Sequence, residues 1–125
     1  MRSLRWARAW LTGGIVLVLV VVFLSVRPVA MALPAVSNAD KFAHLIAYFT
    51  LALWFSGALR RASYLPLAVA LIALGVGLEG VQALLPVRTA DLGDGLANAI
   101  GVGIGVAAGA AGLGEWCRWI ENRLP

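Results

Sequence analysis

The chain has 125 residues, of which 62% are hydrophobic and only 13% charged, and its mean hydropathy is +0.91; this excludes an ordinary water-soluble domain and leaves room for a few membrane spans in one domain, residues 1–125. The net charge of +4 and pI near 10.2 come from short basic clusters between apolar runs, where membrane proteins carry them, so nucleic acid is not expected as a partner. The single Cys117 has no second cysteine and no histidine at metal-ligand spacing, which removes disulfide, zinc and redox-pair chemistry and leaves a reduced thiol.

Residues 1–10 interleave Arg2, Arg5 and Arg8 with Trp6 and Trp10, a basic and aromatic flank of the kind found on the cytoplasmic side of a span. The first span is predicted over about 11–27. Its uncharged part, Leu11 to Val26, is about 16 residues or ~24 Å of helix, slightly short of the ~20 residues usually needed, so a cleaved signal peptide ending at Ala30-Met31-Ala32 is the alternative. Arg27-Pro28 interrupts the approach to that pattern and Trp10 can extend the run, so it is read as a retained anchor. Pro28 and Pro34 then discourage helix, and Ser37 or Asn38 can cap a second one, spanning about 42–59. Asp40, His44 and Tyr48 recur at i, i+4 and i+8 on one face of it, with Lys41 on the flank. Lys41 is a cation at a helix N-terminus, where it opposes the macrodipole and calls for an anionic partner.

Arg60-Arg61 forms a basic turn before a third span over about 64–85, opened by Tyr64 and Pro66. Glu79 and Gln82 share a face of that span near its far end. A loop carrying Arg88, Asp91 and Asp94 leads to a fourth span over about 96–113, which contains Asn98 and a ridge of Gly101, Gly105, Gly109 and Gly112. Such small-residue ridges let helices approach closely in lipid; this one serves either internal packing or a homodimer face, and both are open at this point. The tail, with Trp116, Trp119 and Ile120 set apart from Glu115, Arg118, Glu121, Asn122 and Arg123, reads as an interfacial amphipathic end.

The expected fold is therefore all-α, a polytopic bundle of four transmembrane helices. Seven of the ten basic residues, Arg2, Arg5, Arg8, Arg60, Arg61, Arg118 and Arg123, fall on one side, against Arg27, Lys41 and Arg88 on the other, so both termini are expected in the cytoplasm. Asp40, Lys41, His44, Tyr48, Glu79, Gln82, Arg88, Asp94 and Asn98 then belong to the outer half, where three helix ends can converge on one polar pocket. A carboxylate within a span costs about 2.5–3.5 kcal/mol on insertion scales, which makes Glu79 a functional candidate, either neutral or paired with Lys41, His44 or Arg88. His44 is either a satisfied helix-face residue or a proton donor and acceptor, and Asp91 and Asp94 either complement a helix N-terminus or belong to the site. Glu79, Asp91 and Asp94 suit a hard cation, but Lys41 and Arg88 can neutralise them without one, and no metal or cofactor is expected.

The succession D-K-x-x-H-x-x-x-Y, E-x-x-Q and P-x-R-x-x-x-x-x-D-x-x-x-N-x-x-G, over residues 40–105, resembles the VanZ-like family of small bacterial membrane proteins, whose founding member is associated with teicoplanin resistance. The family pattern falls on Lys41, His44, Tyr48, Glu79, Gln82, Arg88, Asp94, Asn98 and Gly101, with Val87 where the pattern has glycine. The resemblance implies a multi-pass protein of the bacterial plasma membrane engaged in envelope biology, of unknown biochemical activity.

Three functions compete. The first is a binding or accessory protein that recognises an anionic lipid or lipid-linked envelope precursor through Lys41 and Arg88. The second is a membrane-embedded enzyme on such a substrate, with Glu79 or His44 as the candidate catalytic base. The third is a transporter, which four spans without inverted repeats disfavour. No serine or cysteine nucleophile beside a base and no phosphate-cradling glycine loop is present, which ranks binding above catalysis.

Overall fold

The computed structural model describes residues 1–26, 38–84 and 92–125, with the backbone alone for 38–40. The prolines and cleavage pattern between the first two helices, Val87, Arg88, Asp91 and the side chain of Asp40 lie outside the described residues. The described chain is all-helical: α1 Ala7–Val26, α2 Asn38–Ala58, a 3-10 turn Arg61–Ser63, α3 Tyr64–Leu84, α4 Leu92–Ala110, a second 3-10 turn Leu113–Glu115, and the short α5 Trp116–Glu121.

Three helical segments, Ala7–Val26, Arg61–Leu84 and Leu92–Ala110, are long and apolar enough to cross a membrane. Helix α2 matches them in length but carries Lys41, His44, Tyr48, Thr50 and Ser56. One face of it is enclosed by the other helices, with Tyr48, Leu51, Ala52, Ser56 and Ala58 all buried, while exposed Thr50 bonds back to the Ile46 carbonyl at 2.8 Å. The central cluster joins Tyr48, Leu51 and Ala52 to Leu67 and Leu71 of α3 and Val102 of α4, with Leu17, Val18 and Val21 of α1 packed against it. Helix α1 is the opposite case. Its Ile15, Val16, Leu19 and Phe23 are each at least half exposed, as expected of a helix whose outer face meets hydrocarbon.

The glycine ridge is internal. A Cβ on Gly105 would lie 2.6 Å from Ala52 Cβ and 2.8 Å from the Phe49 carbonyl oxygen, and one on Gly109 would lie 2.7 Å from Ser56 Cβ. Gly101 meets the Leu45 carbonyl in the same way. Helices α2 and α4 thus touch backbone to backbone along the ridge, where van der Waals packing is the main attraction available between helices in lipid. Of the two readings of the ridge, this is internal packing: α2 lies against Gly101, Gly105 and Gly109. Gly112 is not part of the ridge. Its φ of 131° belongs to a residue that ends a helix, and α4 stops at Ala110 before turning into the tail. At its other end α4 begins at Leu92, a turn earlier than expected, which brings Asp94 from the loop into the first helical turn.

Candidate functional site

The polar residues of α2, α3 and α4 meet at the end of the bundle away from both termini. Asp94 is the centre. Its carboxylate is 4% exposed, its Oδ2 lies 3.7 Å from His44 Nε2, and its Oδ1 lies 4.0 Å from Lys41 Nζ. The first-turn position also sets that carboxylate against the positive end of the α4 dipole. The anionic partner that Lys41 requires is thus Asp94, one helix away, and Lys41 itself stays 36% exposed at the mouth.

The other ring nitrogen of His44, Nδ1, lies 3.0 Å from Asn98 Oδ1. Asn98 is one turn beyond Asp94 on α4, as His44 is nearly one turn beyond Lys41 on α2, so two helices supply a paired ladder of polar groups. Helix α3 closes the third side. Gly75 leaves the space for it: a Cβ there would stand 3.1 Å from Asn98 Nδ2 and 3.5 Å from Tyr48 Cε1. One turn on from Gly75 along the same helix, Glu79 is half-buried. Tyr48 is 2% exposed, and its hydroxyl has no hydrogen-bond partner among the described residues. A buried hydroxyl without a partner costs about 1–3 kcal/mol, so this one marks a place where a donor or acceptor from outside the protein would be stabilised.

Gln82 has a different task. Although buried, it leaves the cluster and donates from Nε2 to the Ser25 carbonyl at 2.8 Å, satisfying an acceptor in the last turn of α1. Of the nine residues expected at the pocket, Lys41, His44, Tyr48, Asp94 and Asn98 come together, Glu79 stands one turn beyond Gly75 on α3, Gln82 ties α3 to α1, and Arg88 and the Asp40 side chain lie outside the described residues. Among the described residues no three His, Cys, Asp or Glu side chains gather as metal ligands.

The arginine-rich end holds residues that sequence reasoning missed. Glu121 of the tail accepts from the backbone N–H of Arg5 at 2.8 Å, from that of Trp6 at 3.0 Å and from Trp10 Nε1 at 2.7 Å. It therefore satisfies N–H groups at the start of α1 from a distance of more than a hundred residues. Burial pushes the Glu121 carboxyl up, but the Trp6, Trp10 and Arg5 donors outweigh burial and hold it below the ordinary carboxylate range. Arg2 bonds Glu115 at 2.7 Å and the Tyr64 hydroxyl at 3.0 Å. Trp10, Trp54 and Trp116 pack edge to face with centroids 5.0–5.9 Å apart. Burial, reinforced by Glu121 and opposed by Arg2, pushes the Cys117 thiol up to about 12. The available signal was the complementarity of an arginine-rich N-terminus with a tail holding two glutamates.

Among the described residues these features define an all-helical architecture with three membrane-length apolar helices and a buried polar cluster at one end. No protein-family model, curated protein or solved structure matches the chain.

Proposed function

We propose that the chain is a VanZ-like multi-pass protein of the bacterial plasma membrane, with α1 to α4 as four spans, both termini cytoplasmic, and an outward-facing pocket that binds an anionic lipid or lipid-linked envelope precursor. The observation that carries this reading is the Asp94 cluster with the partnerless Tyr48 hydroxyl behind it. A bundle that needed only to pack would fill that volume with apolar side chains, since a buried ion pair is weak evidence for stability. Lys41 supports an anionic ligand: it is a cation 36% exposed at the mouth, within reach of a phosphate or carboxylate that arrives there. The distribution of arginines supports the orientation, because the end with both termini carries the cationic excess. The resemblance over residues 40–105 supports the envelope setting.

The experiment is mass spectrometry of lipids and precursors that co-purify with the protein from a bacterial host. A species enriched on wild type should be lost from Lys41→Ala, and equal recovery from both would refute anion recognition by Lys41. The enzyme reading draws on one further observation, the clamping of His44 between Asp94 and Asn98, an arrangement that orients an imidazole for proton transfer. It requires that His44→Gln or Glu79→Gln retain the species in unprocessed form.

A further inference from the structure

The arginine-rich end carries a feature separate from the polar cluster. Trp116, Trp119, Ile120 and Arg123 line a cleft of about 230 Å³. Their offsets of three, four and seven from Trp116 place them on one face of α5 and the turn after it. Trp116 is the fixed floor, held by Trp10 and Trp54 and by its own Nε1, which donates to the Leu53 carbonyl at 3.0 Å. Trp119 and Ile120 stand 49% and 40% exposed beside it.

Arg123 is the charged member of the lining. At this end Arg2 and Arg118 share Glu115 as ion-pair partner, while Arg5, Arg60 and Arg61 each donate to a backbone carbonyl. Among the described residues, the guanidinium groups of Arg8 and Arg123 are left with no protein partner, and of these Arg123 lines the cleft. A guanidinium without a counter-charge beside indole and aliphatic walls has the composition of a membrane interface. Its flat donor fork suits phosphate. A free phosphate would use the arginine alone and leave three apolar walls idle, whereas a phospholipid uses both.

We propose that this cleft binds one anionic phospholipid of the leaflet at the arginine-rich end, its phosphate on Arg123 and its glycerol and upper acyl chain along Trp119 and Ile120. The site is distinct from the pocket at the opposite end and does not depend on how that pocket is read.

The test is native mass spectrometry of the full chain, delipidated in detergent and titrated with phosphatidylglycerol or phosphatidylcholine. Wild type should hold one phosphatidylglycerol in preference to phosphatidylcholine, and Arg123→Gln should lower that preference about fivefold, the scale of one basic residue at an anionic surface. Trp119→Ala should weaken both lipids. Because Trp119 and Arg123 are exposed, both variants should melt like wild type. Arg8→Gln removes the other unpartnered arginine, away from the cleft, and should leave the preference unchanged. An equal loss with Arg8→Gln would reduce the effect to the general field of a basic surface and overturn the site. So would unchanged phosphatidylglycerol binding by Arg123→Gln. Displacement by millimolar glycerol phosphate would overturn the lipid as occupant.

Discussion

Replacing Gly105 by alanine adds one methyl group at the tightest part of the α2–α4 contact. The new carbon would stand 2.6 Å from Ala52 Cβ and 2.8 Å from the Phe49 carbonyl oxygen, against about 3.5–4.0 Å for carbon atoms in contact. The helices must part there by about 1 Å, and neither neighbour can swing away, since one is a Cβ and the other backbone. Overpacking of this kind costs about 1–3 kcal/mol, while alanine regains about 0.5–1 kcal/mol over glycine within a helix. A net loss of up to about 2.5 kcal/mol follows. Two residues away, a Cβ on Gly103 meets nothing within 4 Å, so Gly103→Ala should keep the propensity gain and stabilise the protein by up to about 1 kcal/mol. The same substitution in the same helix should thus act with opposite sign at the two positions. Thermal melts in detergent, followed by tryptophan fluorescence beside a measurement of oligomeric state, separate the cases. Shifts of the same sign would refute the internal ridge, as would a Gly105→Ala variant that changes association while the monomer melts as before.

Glu121 gives the protein a pH dependence. A carboxylate held below its ordinary pKa contributes stability that is present above the unfolded value of about 4.3 and is lost as pH falls through the folded one. Glu121→Gln should therefore melt lower than wild type at pH 7, with the gap closing below about pH 4; a gap independent of pH would remove the carboxylate from the latch. For topology, Ala62→Cys should react with a membrane-impermeant maleimide only from the cytoplasmic side and Leu92→Cys only from outside. Cys117 is fully buried with its thiol pushed up to about 12, so the parent chain should stay unlabelled until it is denatured.

Local patterns carried much of this architecture, and partners across helices carried the rest. The stripe of Lys41, His44 and Tyr48 and the pair Asp94 and Asn98 were legible because helical periodicity alone puts each set on one face. Which set faced which was not legible. Glu79 was open to pairing with Lys41, His44 or Arg88, and the sequence did not show that Asp94 would lie beside Lys41, which it does because α4 starts a turn earlier and lifts its carboxylate into the bundle. The ridge on α4 was plain, but its occupant depended on α2 lying against it, and α2 is the one with the most polar sequence. Gly75 gave no signal, because its role exists only through the Asn98 and Tyr48 side chains opposite it. Likewise, Glu121 and Arg2 join the two ends of the chain, a contact that no local pattern contains.

The central claim is that the polar end of the bundle is built to hold a ligand and not only to hold helices together, and Tyr48→Phe tests it most directly. The substitution removes one buried oxygen with no protein partner and leaves the ring that packs against α3 and α4. The measurement is the amount of the co-purifying envelope lipid or precursor per mole of protein, taken beside the melting temperature of the same preparation. The account predicts a melting temperature equal to or above that of wild type, because an unsatisfied hydroxyl is gone, together with a clear fall in bound ligand. A lower melting temperature with the ligand undiminished would contradict it, because the hydroxyl would then serve the fold and not a guest.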